Sequence, residues 1–252
     1  MKEIKLYNSP NIKLQGLYYY NKAYKYWDLN LCSDAFEKEY DQLLPTINLG
    51  WKDPRSLHNE HFPMCVIDLD KYDNSYENYY SKLPNNIRRD VKVSKKNKFY
   101  FKEYDFNHHV IDFSSINKKK ENINPWYLQD SSYFKGSHSG YRHHWENHLH
   151  FSQWYGIFKY FKHYKQEEMT TNEKLFAYCK IAYDGELATV HLILGDKDNL
   201  KHGIMSHLMT SIVKECFQNK VIKYLVYYTY AGRLVPWKER FLYEKQKIKY
   251  IL

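Results

Sequence analysis

Apolar positions along the chain recur with two spacings. Ile204, Leu208, Ile212 and Cys216 repeat at i,i+4, which predicts an amphipathic helix from Leu200 to Asn219. Short apolar runs flank it: Leu175 to Tyr183 (LFAYCKIAY), Glu186 to Leu194 (ELATVHLIL) and Val221 to Tyr228 (VIKYLVYY). Each has strand length and strand composition. Asp184-Gly185 between the first two is a two-residue hairpin turn, where glycine supplies the positive φ. A polar loop from Gly195 to Asn199 precedes the helix. Trp237 to Lys247 reads as a second helix, and the chain ends in a short run, Ile248 to Leu252.

The earlier pattern is less regular. Leu17 to Trp27 suggests short strands. Ser33 is an N-cap candidate for a helix that stops at Pro45, because a residue before proline is pushed out of the α region. Gly50 to Pro63 reads as loop, and Met64 to Leu69 (MCVIDL) as a buried strand bounded by Pro63 and Asp70. Asp73 to Lys98 is helical with an interruption at Pro84, and a strand follows at Phe99 to Asp105. Residues 114–150 are polar and loop-like. From His143 to Tyr164 the aromatic positions, at spacings of two to five, suggest a helix.

Composition narrows the class. With 252 residues, 43% hydrophobic and 27% charged, the chain can build a core, so disorder is excluded as its main state. No run of 18 apolar residues exists, and MKEIKLYNSPNIKLQG lacks the apolar centre of a secretory signal. The four cysteines are far apart and form no C-x-x-C, which fits a reducing cytoplasm better than a disulfide scaffold or a zinc ribbon. A net charge of +9 favours anionic partners. The 27 tyrosines accompany abundant Lys, Asn and Phe, a bias that an AT-rich genome produces without any function.

Three clusters invite a chemical reading. His138, His143, His144, His148 and His150 crowd one window, and His144 and His148 share a helical face. No carboxylate or cysteine at ligand spacing completes a metal set, so no metal is expected, and a polar acceptor wall with Arg142 and Trp145 fits better. Arg88, Arg89, Lys92, Lys95 and Lys96 could track a phosphate backbone, as in a nucleic-acid-binding protein without catalytic activity, or form a solvated helix face. No P-loop, G-x-G-x-x-G or G-x-S-x-G is present.

The order hairpin, loop, helix, strand, helix, strand over 175–252 resembles the acyl-CoA-binding half of the GNAT acyltransferase fold. The apolar strand Glu186 to Leu194, the helix opening at Lys201-His202-Gly203-Ile204-Met205 and the ending FLYEKQKIK (Phe241 to Lys249) carry the resemblance. Lys247 and Ile248 stand where the family ending has Gly and Phe. The family's spaced glycines before the long helix are reduced to Gly203 alone, in Asp196-Lys197-Asp198-Asn199-Leu200-Lys201-His202-Gly203. Upstream, Asn86-Ile87-Arg88-Arg89, then Lys95 to Lys98 and a strand, resembles the FemABX aminoacyl transferases, which are tandem GNAT folds.

The resemblance implies an α/β fold, a GNAT-like mixed β-sheet flanked by helices, with room for two tandem units. Residues 1–150 would form the acceptor side and 151–252 the acyl-CoA-binding half. It implies an N-acyltransferase moving an acyl group, acetyl foremost, from CoA to an amine, or a FemABX-type transferase using aminoacyl-tRNA. Leu192, Leu194, Lys201, His202, Gly203 and Ile204 would hold the cofactor through strand backbone groups and the helix N-terminus. Tyr243 matches the tyrosine that protonates the leaving thiolate. Glu186 and His191 are candidate bases. They are five apart, so on a regular strand they face opposite ways unless a bulge intervenes. Arg88, Arg142 and Trp145 would meet the acceptor.

Overall fold

The computed structural model describes residues 3–6, 62–119, 150–162, 172–184, 186–229 and 235–250. They fall into two compact units, one of 66–228 and 232–243, the other of 1–65, 229–231 and 244–252. Residues 100–103 and 155–158, on opposite sides of residue 150, pair directly.

The larger unit starts within β2 (Phe62–Asp68). A 3-10 turn leads to α1 (Tyr76–Lys82), capped by the Ser75 hydroxyl, which accepts from the Asn78 N–H at 3.3 Å. After Pro84 comes α2 (Asn85–Lys96), so proline divides the helical stretch as the sequence suggests. Ile87, Val91 and Ser94 are its buried stripe, which leaves Arg89, Lys92, Lys95 and Lys96 exposed. Then follow β3 (Tyr100–Glu103) and α3 (Val110–Lys118). After β4 (His150–Tyr160), β5 (Glu173–Asp184) and β6 (Leu187–Gly195), a 3-10 segment at Lys197–His202 runs into α4 (Ile204–Gln218). β7 (Tyr224–Thr229) and α5 (Val235–Glu239) complete the unit.

The strand order is β2-β7-β6-β5-β4-β3. The pairs from β3 to β6 are antiparallel and β6 with β7 is parallel. The sheet is thus mixed, with helices on both faces. Alternation along β4 and β5 sorts the core. Trp154, Phe158 and Tyr178 join Phe106, Phe113 and Ile116 beneath α3. Tyr155, Ile157, Cys179 and Ile181 take the other parity, the side where α4 packs on the strands and on α2. Each such side chain taken fully from water contributes about 1.5–3 kcal/mol.

Two expectations change. The segment 150–160 is a strand, not part of a helix, and over 154–158 both of its faces are buried. That fills successive positions with aromatics and removes the simple alternation. The last helix is only Val235–Glu239. Leu242 takes φ of 62°, which breaks helical geometry. Glu244–Tyr250 becomes β8, which in the smaller unit pairs in parallel with β1 (Glu3–Leu6), Glu3 opposite Lys247 and Leu6 opposite Tyr250. The readings of 17–27, the Ser33 helix and the histidine window 138–149 lie outside the described residues.

Candidate functional site

The site begins where two strands part. β6 and β7 pair from Leu187 opposite Tyr224 to Thr189 opposite Val226. Beyond that register β6 runs on to Gly195 and β7 to Thr229. A cleft of about 380 Å³ opens beside the separated ends. Ile193, Leu194 and Gly195 form one wall, and Tyr227 with Trp237 the other. Ile116 and Lys119 close it from α3, and Lys197, Leu200 and Met205 from the approach to α4. The lining is apolar apart from two lysines, a composition suited to a small-molecule arm.

β6 carries a bulge just inside the cleft. Lys180 lies opposite Leu192 and Ile181 opposite Val190, so His191 has no counterpart on β5. A bulge re-aims the residues around it and interrupts the alternation. The far wall is braced by Lys238, which is 3% exposed. Its Nζ donates to the Tyr227 carbonyl at 2.8 Å and lies 4.4 Å from the centre of the Tyr227 ring. This contact fixes a lining residue of β7 at the point where β6 has left it.

Between β6 and α4 a buried carboxylate caps the 3-10 segment. Asp196 is 4% exposed. Its carboxylate accepts from the Asp198 N–H at 3.1 Å, from the Asn199 amide at 3.1 Å and from Lys119 Nζ at 2.9 and 3.1 Å. Lys119 also donates to Asp198 at 2.7 Å, and this contact holds the exposed Asp198 carboxyl below its usual range. At the start of α4, Gly203 takes φ of +70°, and a Cβ there would lie 2.7 and 2.9 Å from the backbone C and Cα of Asp90. The Asp90 carboxylate accepts from the Ser206 hydroxyl at 3.1 Å. One turn on, Ser94 Oγ and His207 Nδ1 are 2.9 Å apart, both buried, and burial with Lys95 nearby pushes His207 down to about 4.

No known protein family matches the sequence, and no curated protein matches it either. The match in three dimensions is clear. The crystal structure of FemX superimposes with a TM-score of 0.54 at 9% identity, over 86% of this chain and 74% of that one. The fold is shared with FemX, an α/β fold with a mixed sheet flanked by helices. A tandem GNAT protein from the clavulanic acid biosynthesis pathway gives 0.44 at 10% identity over 78% of this chain. The chain spans 57% of that protein and 58% of a DUF2156 domain from Agrobacterium fabrum.

Within this fold the expected site residues separate. Leu194 lines the cleft, and Leu192 is half-buried against the aromatic cluster under α3. Lys201 is exposed, and the His202 ring lies 6.0 Å from Phe99. Gly203 and Ile204 are buried, Gly203 against the Asp90 backbone. Tyr243 is 2% exposed and its hydroxyl points to the Met209 sulfur at 3.6 Å. It stands behind Tyr227, ring centres 6.1 Å apart, and burial raises it well above the usual phenol range.

Glu186 sits at the far end of β6, roughly 23 Å of strand from Ile193. Its carboxylate meets Lys223 Nζ at 2.5 Å and its carbonyl accepts the Lys223 and Tyr224 N–H groups, so it sets the start of β7. Arg88 lies on α2, donating to Asn85. Arg142 and Trp145 lie outside the described residues, as does the side chain of His191. Among the described residues no three His, Cys, Asp or Glu side chains gather as metal ligands, and no helix is long and apolar enough to cross a membrane.

The sequence reading missed α3, Lys119, Lys238 and Tyr227. The signal for α3 was present: Asp105 caps the turn before it, and Val110, Phe113 and Asn117 recur at helical spacing. Nothing in the sequence marks Lys238 as buried.

Proposed function

We propose that this protein transfers an acyl group from an activated carrier to an amine, with the acyl arm in the cleft between β6 and β7. The parting of the strands after Thr189 and Val226 carries the reading. It sets the edge of β6 beside an apolar cavity of about 380 Å³. Acyl transfer forms a C–N bond, breaks the C–S or C–O bond to the carrier, and moves a proton from the amine to the leaving atom. Charge gathers on the carbonyl oxygen meanwhile, and backbone N–H groups of a strand edge in a dry cleft stabilise it.

His191, at the bulge, is the proposed base, since imidazole exchanges protons near neutral pH. Tyr243 and Glu186 are not assigned chemical steps. One is enclosed behind Tyr227 and the other lies at the opposite end of β6. The carrier is an acyl-CoA such as acetyl-CoA, or an aminoacyl-tRNA; the acyl arm is common to both.

The test is product formation. The full chain is incubated with acetyl-CoA or with charged tRNA and a panel of primary amines, and mass spectrometry reads the acyl mass added. Leu194→Trp fills the cleft and lowers kcat/KM about 100-fold with the melting temperature kept. His191→Ala lowers kcat without weakening carrier binding, and unchanged turnover removes it from the mechanism. No transfer from either carrier, with steeply salt-dependent binding of nucleic acid through Arg88 to Lys96, replaces the proposal by a binding role.

A further inference from the structure

We infer that Asp196 makes the cleft selective against carriers that present a diphosphate at the junction of β6 and α4. The inference rests on the acyl-transfer reading and concerns the far end of the carrier, not the acyl arm. A diphosphate bound at a helix start needs backbone N–H groups and a cation turned toward it. Here the Asp198 N–H, the Asn199 amide and the Lys119 ammonium all converge on one carboxylate that is 4% exposed. The protein has supplied its own anion. Asp198 adds a second carboxylate on Lys119, and Asp90 stands at the next helix start, on Ser206. Lys197 and Lys201 are exposed cations on the same segment, and both act on Asp198.

A diphosphate at this turn would have to displace Asp196 from Lys119 and from the Asp198 N–H, while the apolar cleft still fits an acyl arm. A carrier whose arm ends in an uncharged ester or thioester asks nothing of Asp196. A diphosphate that took the occupied donors would add about 10-fold to 100-fold in affinity, the effect of hydrogen bonds to a charged group. That gain is absent in the native protein.

Calorimetric titration of the full chain with acetyl-pantetheine, acetyl-CoA and inorganic pyrophosphate tests this. The two thioesters are expected to bind within about threefold of each other, and pyrophosphate to show no saturable binding at the junction. Asp196→Ala combined with Asp198→Ala frees Lys119 and the two N–H donors, and improves acetyl-CoA about 10-fold while leaving acetyl-pantetheine unchanged. Wild-type binding of acetyl-CoA 10-fold tighter than acetyl-pantetheine overturns the inference. So does saturable pyrophosphate binding that Lys119→Met abolishes. The wild-type comparisons decide the matter even where the double variant fails to fold. If neither thioester binds and pyrophosphate does not bind either, the thioester reading of the cleft falls and the inference falls with it.

Discussion

Replacing Gly203 with alanine probes the joint between α2 and α4 more sharply than any other single change. Two costs add. The residue sits at φ of +70°, where an L side chain costs about 1–2 kcal/mol. The new Cβ would also lie 2.7 and 2.9 Å from Asp90 C and Cα, and closer still to the Asp90 oxygen. Those are backbone atoms of a helix, so no side-chain rotation relieves them, and α2 must shift. Overpacking of that kind costs about 1–3 kcal/mol. The expected loss is about 2–5 kcal/mol, or roughly 5–15 °C in melting temperature for a chain of this size. Urea titration followed by tryptophan fluorescence reads it as a lower midpoint at an unchanged slope. Gly195→Ala is the control. Its Cβ would meet Met205 Sδ at 2.5 Å and Leu200 Cδ2 at 3.1 Å, both ends of flexible side chains, so it should cost less than about 1.5 kcal/mol. A Gly203→Ala variant within 1 kcal/mol of wild type, on the scale set by those costs, would refute the account of this joint.

Stability should fall as pH drops from 6.5 toward 4. His207 is held down to about 4 by burial, so between those values the unfolded chain binds the extra proton, and up to about 3 kcal/mol is lost. His207→Gln flattens that part of the urea-midpoint profile, and an unchanged slope excludes the assignment. Lys238→Met leaves the buried Tyr227 carbonyl without this donor and should cost about 1–3 kcal/mol by thermal denaturation. Native stability equal to wild type would mean the brace is idle. Cys179 and Cys216 are fully buried, and burial raises both thiols, so both should resist a thiol-specific reagent until the chain unfolds. Labelling of either at the rate of a free thiol contradicts the packing of α4.

The C-terminal fold was legible because its period is local. Ile204 to Cys216 repeats on one helix face, and Asp184-Gly185 marks the turn between two strands. The strand at 150–160 was not, because burial on two faces erases the alternation that identifies a strand. The cleft was half legible. Leu194 was found from its place on β6, whereas Lys119 and Tyr227 reach the cleft only through tertiary packing. Gly203 was noticed for its place in the family pattern, whereas its missing Cβ admits the backbone of α2. Asp196 read as a polar loop residue, since its neighbours' N–H groups cannot be seen from sequence.

Ser94 and His207 are separated by 113 residues along the chain. Closing a loop that long costs entropy before its contact returns anything, so it comes late. The hairpin of β5 and β6, joined by a tight turn, can form as soon as it is made. α2 cannot find α4 until the ribosome has added the intervening chain, which at about 5–20 residues per second takes roughly 5–25 s. Through that interval Ile87 and Val91 have no helix to cover them. The nascent chain is exposed to misassociation there, and a holdase bound during synthesis would be found on residues 85–96.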